Sequence, residues 1–319
     1  MNAQWTERKE IGNAFWLNCA RRAGLTLGRR VCRVVLWPVT VYFFFRRGPE
    51  RRASRIYLER VLGQRVSSWS VLRHIHCFSC TILDRLYLLS ERFRRFDIRT
   101  FGLRDLDRAL EGGQGVLLIG AHLGSFDALR VLSLERPEVP VRILLDTAQG
   151  ERISGVLNAL NPALAASIIN ARDAGPAVAL KIKEALDQNS IVAVLADRGQ
   201  PANPTQSASF LGLPAPFPTS PWLLAAALKV PVMLAFGLYR GGNRYDLHFD
   251  AFAAPVVIER SRRTAALDEI LQRFADRLAH YAQLAPYNWF NFYDFWQPAP
   301  PRNAPGELRD GAGDLLRRS

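Results

Sequence analysis

A lone histidine, His122, sits inside an otherwise apolar stretch, Leu117-Leu118-Ile119-Gly120-Ala121-His122-Leu123-Gly124-Ser125-Phe126-Asp127, and a carboxylate follows it five residues later. An imidazole held by a carboxylate through one ring nitrogen can take a proton from a bound hydroxyl with the other, so the pair reads as a general base, His122, with its orienting acid, Asp127. On one regular helix, five residues would set the two side chains about 140° apart. A bend between them removes that obstacle. The bland alternative is a satisfied histidine in a strand–helix corner, with Asp127 stabilising a helix N-terminus. Ser125 does not lie in G-x-S-x-G, which argues against a serine nucleophile, and no H-E-x-x-H zinc pattern occurs.

The elements around the pair follow from local pattern. Val116 to Ile119 is a short apolar run after Gly112-Gly113-Gln114-Gly115, as expected of a strand buried on both faces. Apolar residues at helical spacing from Phe126 to Leu132 predict a helix over 125–134, which leaves His122 in the turn. A second buried strand, Ile191 to Ala196, ends in Asp197-Arg198. In an open α/β sheet, substrates lie beyond the carboxyl ends of the strands, so His122 and Asp197-Arg198 can face one crevice. Arg198 is then a candidate donor to a phosphate or a developing oxyanion, with loop bracing as its alternative. Asp197 and, more weakly, Arg172 join it as substrate contacts.

These segments resemble a known family. His122-x4-Asp127 after a buried strand resembles the H-x4-D/E motif of the lysophospholipid and glycerolipid acyltransferase superfamily, and Gly120 to Asp127 is most similar to the bacterial lipid A late acyltransferase (lauroyl/myristoyl acyltransferase) branch, written G-x-H-x-G-x-W-E. Phe126 stands for Trp and Asp127 for Glu. Ala196-Asp197-Arg198 resembles that branch's P-D-Q or P-D-R, Phe210-Leu211-Gly212 its F-F-G, and Pro218 to Val232 its T-x-G-x-x-x-L-A and G-x-P-V segments. Pro286 to Trp296 resembles the closing P-x-x-Y/W-x-W, without the usual H-R-R-F-K ending. Asp146 stands where the family often carries an arginine. The E-G-T-R block of the sister branch is absent. The resemblance implies transfer of a fatty acyl group from a thioester, on acyl carrier protein or coenzyme A, to a hydroxyl of a lipid or glycolipid. The acceptor would be a lipid A precursor or another lipid, polyene pigments included. No metal or cofactor is implied.

Charge is segregated. Residues 1–104 hold 21 Lys and Arg against 7 Asp and Glu, whereas the remaining 215 hold 21 against 22. A basic third suggests an anionic partner: nucleic acid, a membrane surface, or an acidic carrier protein. Here the arginines bracket Val34, Val35, Leu36, Trp37 and Tyr42 to Phe45, which favours lipid over nucleic acid. The run is short for a span, with Arg33 inside and Pro38 at its centre, so a helix lying in the bilayer interface is expected, its arginines (Arg29, Arg30, Arg33, Arg46, Arg47, Arg51, Arg52) on anionic lipid. A span from about Leu25 and an ordinary buried hairpin are the alternatives. No A-x-A-like cleavage site follows, so the expected location is the cytoplasmic face of the inner membrane.

Four cysteines in a chain of 319 residues do not make an oxidised scaffold. His74, His76, Cys77 and Cys80 form a cluster, but Ser68 to Leu89 reads as one helix that points them in different directions, so packing is expected over zinc. Further strands are expected at 141–145, 231–238 and 245–250, with helices near 152–160, 176–187, 219–229 and 264–284. The fold class is therefore α/β, a largely parallel central sheet flanked by helices, preceded by a basic, partly membrane-seeking helical segment. The division is 1–65 membrane-associated, 66–296 catalytic, 297–319 a disordered tail. The aromatic block at 286–296 is expected to pack over the sheet in preference to lining a chain-binding site. A hydrolase using the same pair on water, and a non-catalytic membrane or nucleic-acid binding protein, are the rival functions.

Overall fold

The computed structural model describes residues 14–89, 92–132, 136–145, 167–171, 175–199 and 203–296, with side chains from residue 28 onward apart from Arg130. The helix expected at 152–160, Asp146, Arg172 and the tail lie outside the described residues. Seven α-helices are described: α1 (Ala14–Arg46), α2 (Gly48–Leu62), α3 (Ser68–Leu89), α4 (Leu103–Leu110), α5 (Gly175–Asp187), α6 (Ser220–Leu228) and α7 (Arg263–Leu284). The strands are β1 (Asp97–Phe101), β2 (Val116–Gly120), β3 (Val141–Leu145), β4 (Ile168–Asn170), β5 (Ile191–Leu195), β6 (Thr205–Phe210), β7 (Leu213–Pro218), β8 (Val232–Gly241) and β9 (Arg244–Ala253).

Seven strands form one sheet in the order β1-β9-β8-β2-β5-β3-β4. All neighbours are parallel except β8 and β9, which the Gly241-Gly242-Asn243 turn joins as an antiparallel pair. β6 and β7 form a separate hairpin. Alternate residues of the central strands feed two cores. Leu117, Ile119, Val192 and Val194 pack with α2, α5, α6 and α7; Val116, Leu118, Ile191 and Ala193 pack with α3 and α4. Every residue of β2 is therefore buried, the condition that its unbroken apolar run implied.

The segment expected as a helix at 125–134 is instead a 3-10 turn over Phe126–Val131. Close backbone contact explains the difference. Gly124 has φ +74° and a side chain there would sit 1.9 Å from the Gly237 carbonyl oxygen of β8, while Ser125 N–H donates to that same oxygen at 2.7 Å. The chain is tied down to the sheet before a regular helix can start.

α1 is pinned by charge. Asp84 of α3, fully buried, accepts from Arg29 Nε at 2.6 Å, Arg29 Nη2 at 2.7 Å and the Tyr245 hydroxyl at 2.9 Å, with Arg33 at 3.5 Å. Arg29 and Arg33, expected on lipid, thus serve the protein interior, because a buried carboxylate needs its countercharge nearby. The opposite face of α1 is apolar and exposed: Val31, Val34, Val35, Val41, Tyr42 and Phe45. Among the described residues no helix is long and apolar enough to cross a membrane.

Candidate active site

The parallel register of β2 and β5 builds the centre of the site. Gly120 and Leu195 are register partners, and Ala196 N–H donates to Gly120 O at 3.0 Å. Two residues beyond that pair, on each strand, stand His122 and Asp197. His122 Nδ1 lies 2.8 Å from Asp197 Oδ1, and the His122 backbone N–H donates to Asp197 Oδ2 at 3.0 Å. The carboxylate that orients the imidazole in this geometry is Asp197. Asp127, placed in that role by sequence spacing, turns to α3 and pairs with Arg85 at 3.0 Å. The 3-10 turn carries it there.

Asp197 is fully buried and Trp289 Nε1 donates to its Oδ2 at 3.1 Å. Burial by itself would raise its pKa; the His122 charge, the hydrogen bonds from His122 and the Arg198 charge outweigh it and hold the carboxyl at about 2. An ionised carboxylate only accepts, so Nδ1 carries the proton and the neutral ring keeps its lone pair on Nε2. Burial lowers the His122 pKa below 6.5, and Arg198 adds to that while Asp197 opposes it. The ring is 35% exposed, and Nε2 has no protein partner among the described residues. Such a nitrogen is unprotonated near neutral pH and open to a hydroxyl.

Asp197 was also expected to contact substrate. Its oxygens are instead taken up by three donors inside the protein. Arg198 is half-buried: Nη2 donates to Phe290 O at 2.6 Å, the guanidinium lies 5.5 Å from the Tyr293 ring centre, and Nε is buried without a hydrogen-bond partner.

The aromatic block does more than pack over the sheet. Leu123 and Trp289 form an antiparallel bridge, Phe290 N–H donates to His122 O at 3.0 Å, and Gly124 N–H donates to Asn288 O at 2.8 Å. Trp289 O in turn accepts from His74 Nε2 at 3.0 Å, whose Nδ1 meets Ser54 Oγ at 2.8 Å. Burial drives the His74 pKa down to about 4, so this ring is a neutral brace between α2, α3 and the site. Sequence reasoning missed Trp289 as a site residue; its signal was an indole donor in a block already read as apolar. His76 stacks on Trp37, with ring centres 3.9 Å apart, and Cys80 lies 3.5 Å from its Nε2, so the His/Cys cluster divides between two environments.

The site therefore offers a base with a fixed tautomer, a carboxylate dedicated to it, and an arginine whose charge reaches both. No curated protein matches the chain. A family model described as bacterial lipid A biosynthesis acyltransferase matches residues 86–297, which include His122, Asp127, Asp197, Arg198 and Trp289. The chain belongs to the bacterial lipid A biosynthesis acyltransferase family and is an acyltransferase.

Proposed function

We propose that the protein transfers a fatty acyl chain from a thioester, on acyl carrier protein in preference to coenzyme A, to a hydroxyl of a lipid A precursor or related glycolipid at the cytoplasmic face of the inner membrane. His122 Nε2 takes the acceptor proton as the alkoxide oxygen attacks the thioester carbonyl. The tetrahedral intermediate collapses, the C–S bond breaks, and the imidazolium returns its proton to the departing thiolate. Asp197 holds the ring and stabilises the imidazolium. Arg198, whose charge bears on both His122 and Asp197, is the group that stabilises the oxyanion electrostatically. Asp127 supports the loop through Arg85.

The observation that carries this reading is the 2.8 Å contact between His122 and a buried, ionised Asp197 at adjacent strand ends. The outward apolar face of α1 supports the membrane setting: Val31, Val34, Val35, Tyr42 and Phe45 repeat at helical spacing, with Tyr42 61% and Phe45 74% exposed. Purified protein given acyl carrier protein thioester and a lipid A precursor in mixed micelles should yield the ester product by mass spectrometry, with His122→Ala inactive. Release of free fatty acid at a rate indifferent to the acceptor would replace transfer with hydrolysis and end the proposal.

A further inference from the structure

Arginines of this fold commonly face carboxylates: Arg29 and Arg33 meet Asp84, Arg85 meets Asp127, Arg136 meets Asp107 and Arg277 meets Asp250. Arg51, Arg52 and Arg55 differ. With Gly48 and Pro49 they line a cavity of about 420 Å³, and none of the three has a carboxylate within ion-pair distance among the described residues. Two are held by neutral acceptors instead. Arg51 donates to Phe44 O at 2.8 Å with its guanidinium over the Phe44 ring, and Arg55 donates to Val66 O at 2.8 Å and Ser68 Oγ at 3.3 Å. Arg52 is exposed. Carbonyl and hydroxyl oxygens fix a guanidinium plane without cancelling its charge, so the cavity is a preorganised cationic site with spare N–H donors, the chemistry that grips a phosphate.

Its surroundings specify where the phosphate comes from. Phe44, which Arg51 covers, is a half-buried residue of the last turn of α1 that packs against the core, and Tyr42 and Phe45 of the same turn end the exposed apolar stripe. A free anion has no use for that stripe, whereas a lipid presents a charged headgroup beside an apolar body. We infer that the cavity formed by Arg51, Arg52 and Arg55 binds the phosphate of an anionic membrane-lipid headgroup while the α1 stripe enters the acyl region. The inference rests on the membrane reading above and extends it to a defined headgroup site.

The test is co-sedimentation of the full chain with phosphatidylcholine vesicles, with and without phosphatidylglycerol. Each arginine near an anionic surface contributes about fivefold to binding. Arg52→Gln, an exposed change that disturbs no internal contact, should weaken binding to the anionic vesicles about fivefold, and Arg51→Gln with Arg52→Gln about 25-fold, leaving binding to pure phosphatidylcholine unchanged. A matched control, Arg92→Gln with Arg94→Gln, removes two exposed arginines outside the cavity and should lose far less. Equal losses for the two pairs would reduce the effect to bulk charge and overturn the site. Inorganic phosphate alone, titrated calorimetrically, should bind weakly; saturable binding that displaces the protein from vesicles would assign the cavity to free phosphate and overturn the lipid source. Native protein that ignores both vesicle types would defeat the membrane reading itself, whereas native binding with an unaffected double variant would defeat the cavity alone.

Discussion

Asp127 and Asp197 carry the same side chain and both follow a strand of the same sheet, yet their circumstances are opposite. Asp197 leaves β5 two residues past its register partner, is fully buried, and is gripped by three donors. Asp127 comes after a backbone detour forced by the contact of Gly124 with β8, remains partly exposed, and meets one arginine. Closeness in sequence to a histidine is therefore a poorer guide to partnership than position on a neighbouring strand. Register is rigid over several residues, while a turn can discharge its side chains in any direction.

Removing the ring that distinguishes the two carboxylates should have the largest effect. His122→Ala is expected to lower kcat by about 10³ to 10⁴, within the range for loss of general-base catalysis, with the circular dichroism spectrum retained. Next is Asp197→Asn, expected to cost about 10² to 10³ in kcat and to lower the thermal midpoint, since a buried amide cannot satisfy the donors arranged for a carboxylate. Asp127→Asn should cost about tenfold or less, by loosening the turn against α3. If its loss in kcat equalled that of Asp197→Asn, the role of orienting acid would return to Asp127.

The pH profile sharpens the contrast further. Because the folded His122 pKa lies below 6.5, kcat/KM should hold through neutrality and fall as the ring gains a proton in the acid range. The sign for stability is the same: the unfolded chain binds this proton more readily, so the contribution is present above about pH 6.5 and is lost as pH drops through the folded value. Asp197 adds a second loss only between its ordinary 3.8 and about 2. The smallest expected effect is that of Trp289→Phe. It withdraws one donor from Asp197, makes the carboxylate a stronger acceptor for the Nδ1 proton, and should move the acid limb upward by a fraction of a unit with a few-fold loss in kcat. An unmoved limb would make Trp289 merely a packing residue.

The parts of the fold that the sequence displayed are those set by burial. β2, β5 and β8 appear as apolar runs because both faces of these strands are covered, and the limits of α3 follow from one continuous helical pattern. β7 was hidden by Pro214, Pro216 and Pro218, residues that argue against a strand. They occupy every second position, so the missing N–H groups all fall on the outer edge of the hairpin and cost no bond to β6. β1 and β4 are edge strands, too short and too polar or too isolated to announce themselves. At the site, the approach of Asp197 and Arg198 to His122 was legible from two strand ends, since parallel neighbours deliver their next residues together. Which carboxylate takes the ring was not, because the Gly124 detour depends on Gly237, more than a hundred residues away.

Since His122 and Asp197 are matched by counting equal steps from paired α-carbons on two strands, the length of the segment from Ser190 to Asp197 is frozen. A single-residue deletion there would bring Arg198 opposite the imidazole and exchange an acceptor for a cation, so tolerance to insertions and deletions should vanish at this strand even where substitutions are accepted.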